Sequence, residues 1–544
     1  MSARFKPTDT IDWIVRGDYM KNTGDASAHA TVVTASVTPA ARANFRTRLG
    51  GVAPDFDNQF SRSDNNYVKG DLDDHQYGLT SDFNMTFGND FSLRLINGYR
   101  DWSSRHQVAD LAFTPRPIFL RDETQASTTQ SHELQISSPT DQLLDGRLSF
   151  VAGPYFYKEN LRFNENFSFT TDTCNYGLGL ISAGLRAACL AGPFRNATVN
   201  HFDQHLKSYA SYLQADVNLV PDVTLTLGGR YTHEDKDASF VQLVNNAAGA
   251  ATRSPENTSL SRKDSKFTYR VNLSYTPAPN IMLFVNHSTG FKSGGFNSGG
   301  GTPALGTRRG FGPESVDDTE FGFKSQFLDR VLTLNVKAFR MDIHNFQDRS
   351  FDGTSFVVRN AAELRQQGVE GELIIRPSRN FSVNSAISYL TSKFRSYPGA
   401  SGLPGFGGTQ NLTGQRNNFS PEWQGSVGAQ WDRELTASGF AMSLRGDVSF
   451  VSDQNVSSVT DGNRDAIQDG YALLSARLTL RSPGDRYSLQ VFGENLTNQG
   501  YCTFNFPSIL DSVYGLRNAT TGGTLLRCQV GMPHQFGARL SAKF

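Results

Sequence analysis

Several stretches of this chain set aromatic rings beside cations or amides. They are Trp102, Arg105 and His106; Phe291, Lys292, Phe296 and Asn297; Arg308, Arg309 and Phe311; and Phe346, Arg349 and Phe351. A ring next to a guanidinium or ammonium attracts planar or anionic small molecules. These residues are therefore the candidate ligand contacts. Each set falls in a predicted loop or at the exit of a strand, where binding residues concentrate. Four cysteines supply the other chemistry. Four allow three pairings. The local pairing, Cys174 with Cys189 and Cys502 with Cys528, places each bond inside one long loop and suits an oxidising compartment.

Other spacings resemble sites and fail on geometry. His201, Asp203 and His205 alternate, so they share one face of a strand. With ten histidines in the chain, that spacing reads as a loop-to-strand junction near the surface and not as a metal site. The Gly-rich STGFKSGGFNSGGG lacks the G-x-x-x-x-G-K-[ST] order of a phosphate loop and is followed by no helix. It reads as a strand running out into a loop. No H-E-x-x-H and no G-x-S-x-G occurs in a workable context, so no catalytic residue, metal or cofactor is assigned and the chain reads as no enzyme.

The elements that must position these residues show a period of two. From Lys266 to Thr276 the odd positions are Phe267, Tyr269, Val271, Leu273 and Tyr275, and the even ones are Lys, Thr, Arg, Asn or Ser. Such a strand has one apolar and one polar face. Val223–Tyr231 and Trp423–Trp431 repeat the pattern. Alternation alone does not separate a soluble sandwich from a membrane barrel, but the connections do. Short ones (FGND, VPD, TPAPN, FLDR, PSRN, SPGDR) alternate with long ones of about 17 to 55 residues. Sorting by parity is what a transmembrane barrel needs, with tight periplasmic turns and long extracellular loops. The pattern predicts an all-β, antiparallel transmembrane barrel of about 18 strands plus a partial one at Ser2–Lys6. The first clear strand is Ile11–Met20 and the last is His534–Phe544. The polar face carries Arg230, Glu320, Lys324, Glu370, Glu372, Arg445, Arg477, Arg539 and Lys543. Charges on that scale exclude a dry core and suit a wide hydrated lumen or one filled by a polar plug.

Composition agrees. The 544 residues carry 52 Lys plus Arg against 52 Asp plus Glu, so no global field favours nucleic acid. Only 38% are hydrophobic, yet 11% are aromatic, as expected when lipid meets every second residue. No apolar run reaches the roughly 18 residues of a spanning helix.

Many segments in this setting resemble TonB-dependent outer-membrane receptors. They include QSHELQISSP, SYLQADVNLVPDVTLTLGGRYTHEDKD, FVNHSTGFKSGGFNSGG, RGFGPESVDDTEFGFKSQFLDRVLTLNVKAFRMDIHNFQ, QGVEGELIIRP, FSPEWQGSVGAQW, YSLQVFGENLTNQGY and HQFGARLSAKF. The resemblance covers nearly the whole chain in family order. It implies a 22-stranded barrel whose lumen holds a plug. It also implies a TonB box worked by the TonB–ExbB–ExbD complex, and uptake of ferric siderophores, haem, cobalamin or oligosaccharides. The first residues, MSARFKPTDT, have no features of a secretory signal. By resemblance they fall near the end of the fourth family strand. The expectation is that residues 1–544 are a partial barrel without plug or TonB box, a fragment or a mis-started frame. Such a barrel would have two exposed edges and no energised transport. Gln535, Gly537, Leu540, Ala542 and Phe544 approximate the family's assembly signal. The implied partners are outer-membrane lipid, the barrel-assembly machinery, a small-molecule ligand such as a siderophore and, given a plug, TonB–ExbB–ExbD. The resemblance places the chain in the bacterial outer membrane as a receptor barrel; a passive, porin-like channel is the alternative.

Overall fold

The computed structural model describes all residues except 26–29, 33–38, 53–59, 61–66, 68–69, 141, 302–304, 352–355, 404–407, 436–438, 508–512, 515–525 and 544. One antiparallel sheet of 19 strands dominates it. The strands are β1 Ser2–Thr8, β2 Ile11–Asp25, β3 Asp71–Phe87, β4 Phe91–Asp110, β5 Leu120–Ser137, β6 Leu148–Ser168, β7 Thr198–Val220, β8 Val223–Val244, β9 Glu256–Ala278 and β10 Ile281–Lys292. They continue as β11 Glu314–Phe327, β12 Leu332–Phe351, β13 Phe356–Ser378, β14 Phe381–Ser396, β15 Trp423–Glu434, β16 Ala441–Val451, β17 Tyr471–Arg481, β18 Tyr487–Glu494 and β19 Gln535–Ala542. Each strand pairs with its neighbours in this order. Among the described residues β1 pairs only with β2, and β19 only with β18. Nineteen antiparallel strands leave β1 and β19 running the same way, so these two edges cannot form an antiparallel pair with each other.

The period of two has a direct structural outcome. Phe267, Tyr269, Val271, Leu273 and Tyr275 of β9 are all exposed on the outer wall. On β14 and β15, Tyr389 lies opposite Trp423 and Phe381 lies opposite Trp431. Eight residues separate these pairs, about 26 Å along the strand, which matches the height of an apolar band between two aromatic girdles. Val427 sits midway and faces outward. Val427→Arg is therefore expected to cost about 2–4 kcal/mol, read as a lower urea midpoint of the vesicle-reconstituted protein. Ser426→Arg, one residue along and facing inward, is expected to cost far less. Equal midpoints would contradict this facing.

The inner face pairs its charges along and across strands. Lys337 lies 2.8 Å from Glu320 and 3.3 Å from Glu370. Asp447 holds Arg445 at 2.5 Å and Arg477 at 3.6 Å.

Turn parity also appears. One end has the connections 9–10, 88–90, 138–147, 221–222, 279–280, 328–331, 379–380, 435–440 and 482–486. The other has 26–70, 169–197, 293–313, 397–422, 452–470 and 495–534, together with three shorter ones, 111–119, 245–255 and 352–355. For those three the expected length of about 17 residues or more is wrong, because the flanking strands carry the ladder well beyond the bilayer. β7, β9 and β13 each have 23 residues, whereas spanning needs roughly 9–11.

The long loops make their own small cores. Helix α1 (Pro39–Arg48) brings Phe45 and Leu49 against Ile118, Phe169, Leu178 and Tyr514. Helix α2 (Ala183–Ala191) starts at Ser182, whose Oγ accepts from the Leu185 N–H. The disulfide Cys174–Cys189 lies in this cluster and Cys502–Cys528 in a second, which is the local pairing read from the sequence. Backbone at Ala30–Val32 pairs with Leu526–Val530, which pairs with Cys502–Pro507. The loop after β2 is thereby tied to the loop before β19, on the side where the sheet has its two edges.

Candidate ligand-binding mouth

The site is built on the inner faces of β8 and β9, extended past the bilayer. Outward Tyr231 and Phe267 set the alternation, so Lys236, Phe240, Glu256, Arg262 and Asp264 face inward. They hold the described residues of the 293–313 segment as a strap inside the mouth. Lys236 donates to Ser293 Oγ and to the Gly294 carbonyl. Asp264 accepts from Gly294 N at 3.1 Å and is gripped by Arg262, which also donates to the Phe311 carbonyl. Arg309 is fully buried. It makes a bidentate pair with Glu256 at 2.6 and 2.7 Å and donates to the carbonyls of Asn297 and Gly299. Its guanidinium lies over the Phe240 ring, 3.1 Å from the centroid. Glu256 also accepts from Leu305 N and Gly306 N. Burial pushes the Glu256 carboxyl up, but Arg309 and the two backbone N–H groups outweigh it and hold it below the usual carboxylate range.

The strap is sewn to the opposite strands as well. Asn297 donates to the Val358 carbonyl and accepts from Val358 N. Gln347 donates to the carbonyls of Ser293 and Gly312, and Asn360 to that of Gly312. Phe296 packs with Phe202, Ala238 and Phe240.

This sorts the candidate contacts. Phe296, Asn297 and Arg309 build the strap and are spent on it. Phe291 and Phe311 are half-buried, while Lys292 and Arg308 are exposed. Phe346 packs on Phe394, with ring centroids 6.3 Å apart. Arg349 lies over the Phe356 ring at 4.3 Å and donates to the Ser458 carbonyl, and it remains exposed. Phe351 ends β12, and its side chain lies outside the described residues. Trp102 donates to Asp74 at 2.6 Å. Arg105 shares the outer face of β4 with Tyr99 and pairs with Asp122 of β5 at 3.3 Å, so it does not face the mouth with Trp102 and His106.

Sequence reasoning missed two groupings. One is a buried polar knot joining the end of β12 to two loops. Asp348 at the end of β12 accepts from the Tyr397 hydroxyl and from Thr460 Oγ1, at 2.6 Å for the latter. Asp461 is buried beside it, and burial pushes its carboxyl up to about 6. The other lies deeper on the inner wall. The Arg230 guanidinium sits 5.2 Å from the Tyr155 ring and 5.8 Å from that of Tyr212, whose hydroxyl donates to Glu133 at 2.6 Å. An aromatic on the inner parity of two adjacent strands was the available signal for it.

His201, Asp203 and His205 are engaged by β6 partners, Asn164, Arg162 and Asn160 respectively. Among the described residues no group of three His, Cys, Asp or Glu is arranged to hold a metal ion. On β19, Leu540 and Ala542 share the outward parity of exposed Phe536, whereas Gly537 lies on the inner parity under the Phe492 ring. Phe544, the last residue of the expected assembly signal, lies outside the described residues.

Comparison with known proteins agrees with this architecture. The chain superposes on the ferric yersiniabactin uptake receptor FyuA from Yersinia pestis with a TM-score of 0.73 at 15% identity, covering 100% of this chain and 70% of that one. The siderophore receptor PiuA from Acinetobacter baumannii gives 0.68 at 15% identity, covering 99% and 73%. At such identity the likeness speaks for the fold. A curated relative, a probable TonB-dependent siderophore receptor PiuA from Acinetobacter baumannii, is 25% identical over 196 residues, which are 35% of this chain. The chain spans 25% of that relative's length. The sequence profile described as TonB dependent receptor-like, beta-barrel matches residues 6–496. With the profile spanning almost all of the barrel just described, this chain belongs to the TonB-dependent receptor β-barrel family of the bacterial outer membrane.

Proposed function

We propose that this chain is the barrel of a receptor that takes up a ferric siderophore or a similar chelate. Energy in this reading comes from TonB–ExbB–ExbD acting on a plug domain with a TonB box. The observation that carries the reading is the strap. Its buried part is fixed by Glu256, Asp264, Lys236 and Val358, while Arg308 within it and Lys292 just before it are exposed. Exposed cations suit an anionic chelate. The relatives whose names specify a ligand class are siderophore receptors, which favours this reading over a passive channel. The same proposal gives β19 the role of assembly signal for the barrel-assembly machinery.

The test is uptake of radiolabelled iron chelates by iron-starved cells carrying or lacking the gene. Uptake is expected to saturate at low concentration and to stop when the proton gradient is collapsed. Uptake that is linear in concentration and indifferent to the gradient would mean a channel. Lys292→Gln with Arg308→Gln is expected to raise the half-saturating concentration about tenfold, from two lost charge-assisted contacts; an unchanged value would remove these residues from the site.

A further inference from the structure

We propose that the buried knot at the outer end of β12 is an acid-operated latch, which holds the connections 397–422 and 452–470 on the barrel rim when Asp461 is protonated and releases them when it is ionised. The knot stands clear of the membrane. Ala338 of β12 is in ladder register, through Val369, with the Tyr389–Trp423 girdle pair. Asp348 lies about 30 Å farther out along the same strand.

Three segments meet in the knot. Asp348 comes from β12, and the buried Tyr397 hydroxyl and Thr460 Oγ1 donate to its two oxygens. Each donor is anchored in its own connection. The Tyr397 N–H donates to Thr413 Oγ1 and its carbonyl accepts from Leu412 N, both at 2.9 Å. Gln410 donates to the Asp461 carbonyl at 2.6 Å, so the two connections are also tied to each other.

The two carboxyls are not equally provided for. Both oxygens of Asp348 have hydroxyl donors. Asp461 is 2% exposed, and its Oδ1 accepts from Asn463 N at 3.0 Å. Its Oδ2 is shut off from solvent and, among the described residues, has no hydrogen-bond partner. A charged oxygen left there bears an uncompensated desolvation cost, and a second carboxylate in the same pocket adds repulsion. A proton on Oδ2 removes both penalties. Burial, with Asp348 adding to it, pushes the Asp461 carboxyl up to about 6.

The other charged groups facing the knot do not undo this. On β12, Arg349 turns to the Ser458 carbonyl at 3.2 Å and favours the charge on Asp348. On β13, Arg359 is the ladder partner of Asp348 and acts on Tyr397, which burial and Asp348 push up so that it stays a donor. From 397–422, Arg416 is engaged by Asp453 at 3.1 Å and Glu422 at 3.4 Å. On 452–470 itself, Arg464 is exposed and Asp465 is half-buried. A folded-state pKa above the unfolded value of about 4 means that the closed latch prefers the protonated acid. Its contribution is complete below about pH 4 and is lost as pH rises through about 6. The inference concerns the loops and does not depend on what the mouth takes up.

Hydrogen–deuterium exchange of the full chain in detergent, at about pH 5 and about pH 7.5 and corrected for intrinsic exchange, tests this. The reporters are the amides of Leu412, Asn463 and Ser458, the last bound to the Asn505 carbonyl. Their open state is expected to be about tenfold more populated at the higher pH. Asp461→Asn, neutral and of the same shape, is expected to stay at the wild-type pH 5 level at both. Asp453→Asn removes an acid from the same connection and is expected to keep the wild-type slope. Equal protection of the wild type at the two pH values, an unchanged slope in Asp461→Asn, or a slope abolished in Asp453→Asn would each overturn the latch.

Discussion

Glu256→Ala is expected to free the 293–313 strap from the inner wall at a cost of about 3–5 kcal/mol. The number follows from what is left behind. Arg309 is completely buried, and removing its partner strands a guanidinium away from water. Its remaining contacts, two carbonyls and the Phe240 ring, are neutral and do not replace a carboxylate. The same change also orphans the N–H groups of Leu305 and Gly306. Glu256→Gln is expected to cost less, because an amide oxygen still accepts from Arg309. Arg309→Met breaks the same pair from the other side: it leaves the buried Glu256 carboxylate with two backbone donors only and removes the donors to the Asn297 and Gly299 carbonyls, so its effect should be comparable to that of Glu256→Ala. Hydrogen–deuterium exchange reads the result at the amides of Asn297, Leu305 and Gly306. Asn297 N–H is bound to the Arg309 carbonyl. If those amides exchange at the wild-type rate in Glu256→Ala, the pair does not hold the strap. Because the exposed Lys292 and Arg308 lie at the same segment, loss of the strap is also expected to weaken the proposed chelate binding.

How much of this was legible in the sequence depends on the range of the contacts involved. The wall was legible because one residue's facing predicts the next. Outward Phe267 fixes Tyr269, Val271, Leu273 and Tyr275, and the ladder transmits that facing to each neighbour. The number of strands and the sorting of turns came from the same local signal. The disulfides were legible as local pairs because each closes within one loop, with separations of 15 and 26 residues. Facing also would have sent Arg105 to the outer wall with Tyr99; grouping it with Trp102 by local composition hid that.

The mouth was not legible, for a physical reason. Its contacts join residues from different hairpins, and no periodic signal spans them. Arg309 meets Glu256 across 53 residues, and Asn297 meets Val358 across 61. A loop arginine and a loop asparagine have the same local surroundings whether they greet a ligand or brace a turn. Burial decides between those roles, and loop burial is set by the other loops. The knot of Asp348 with Thr460, 112 residues apart, was invisible for the same reason. The sequence therefore grouped together residues that the fold buries as scaffold and residues that it leaves exposed.

The loop between β4 and β5 is expected to tighten in acid and loosen in mild alkali, through Asp110. This carboxyl is almost completely buried at the outer tip of β4. It accepts from Phe119 N at 2.9 Å, Ala112 N at 3.3 Å and Thr114 N at 3.5 Å, so it organises the whole 111–119 connection. Burial pushes its pKa up to about 7, against the pull of those backbone donors. A folded-state pKa raised above the unfolded value of about 4 means that the folded loop prefers the protonated acid. Stability from this source is fully present below about pH 4 and is lost as pH rises through about 7. The span is on the order of 4 kcal/mol of local opening free energy. Amide protection of Ala112, Thr114 and Phe119, corrected for intrinsic exchange, is expected to be greater at pH 5.5 than at pH 8.5. Asp110→Asn cannot titrate, and its protection should be the same at both. A wild-type loop with equal protection at the two pH values would refute the titration, and an unchanged slope in Asp110→Asn would assign it to another group. Since this loop packs on α1 and on the Cys174–Cys189 cluster, its loosening should spread to Phe45 and to Tyr514, which lies in the connection before β19 and gives the same titration a second readout beyond the sheet's edges.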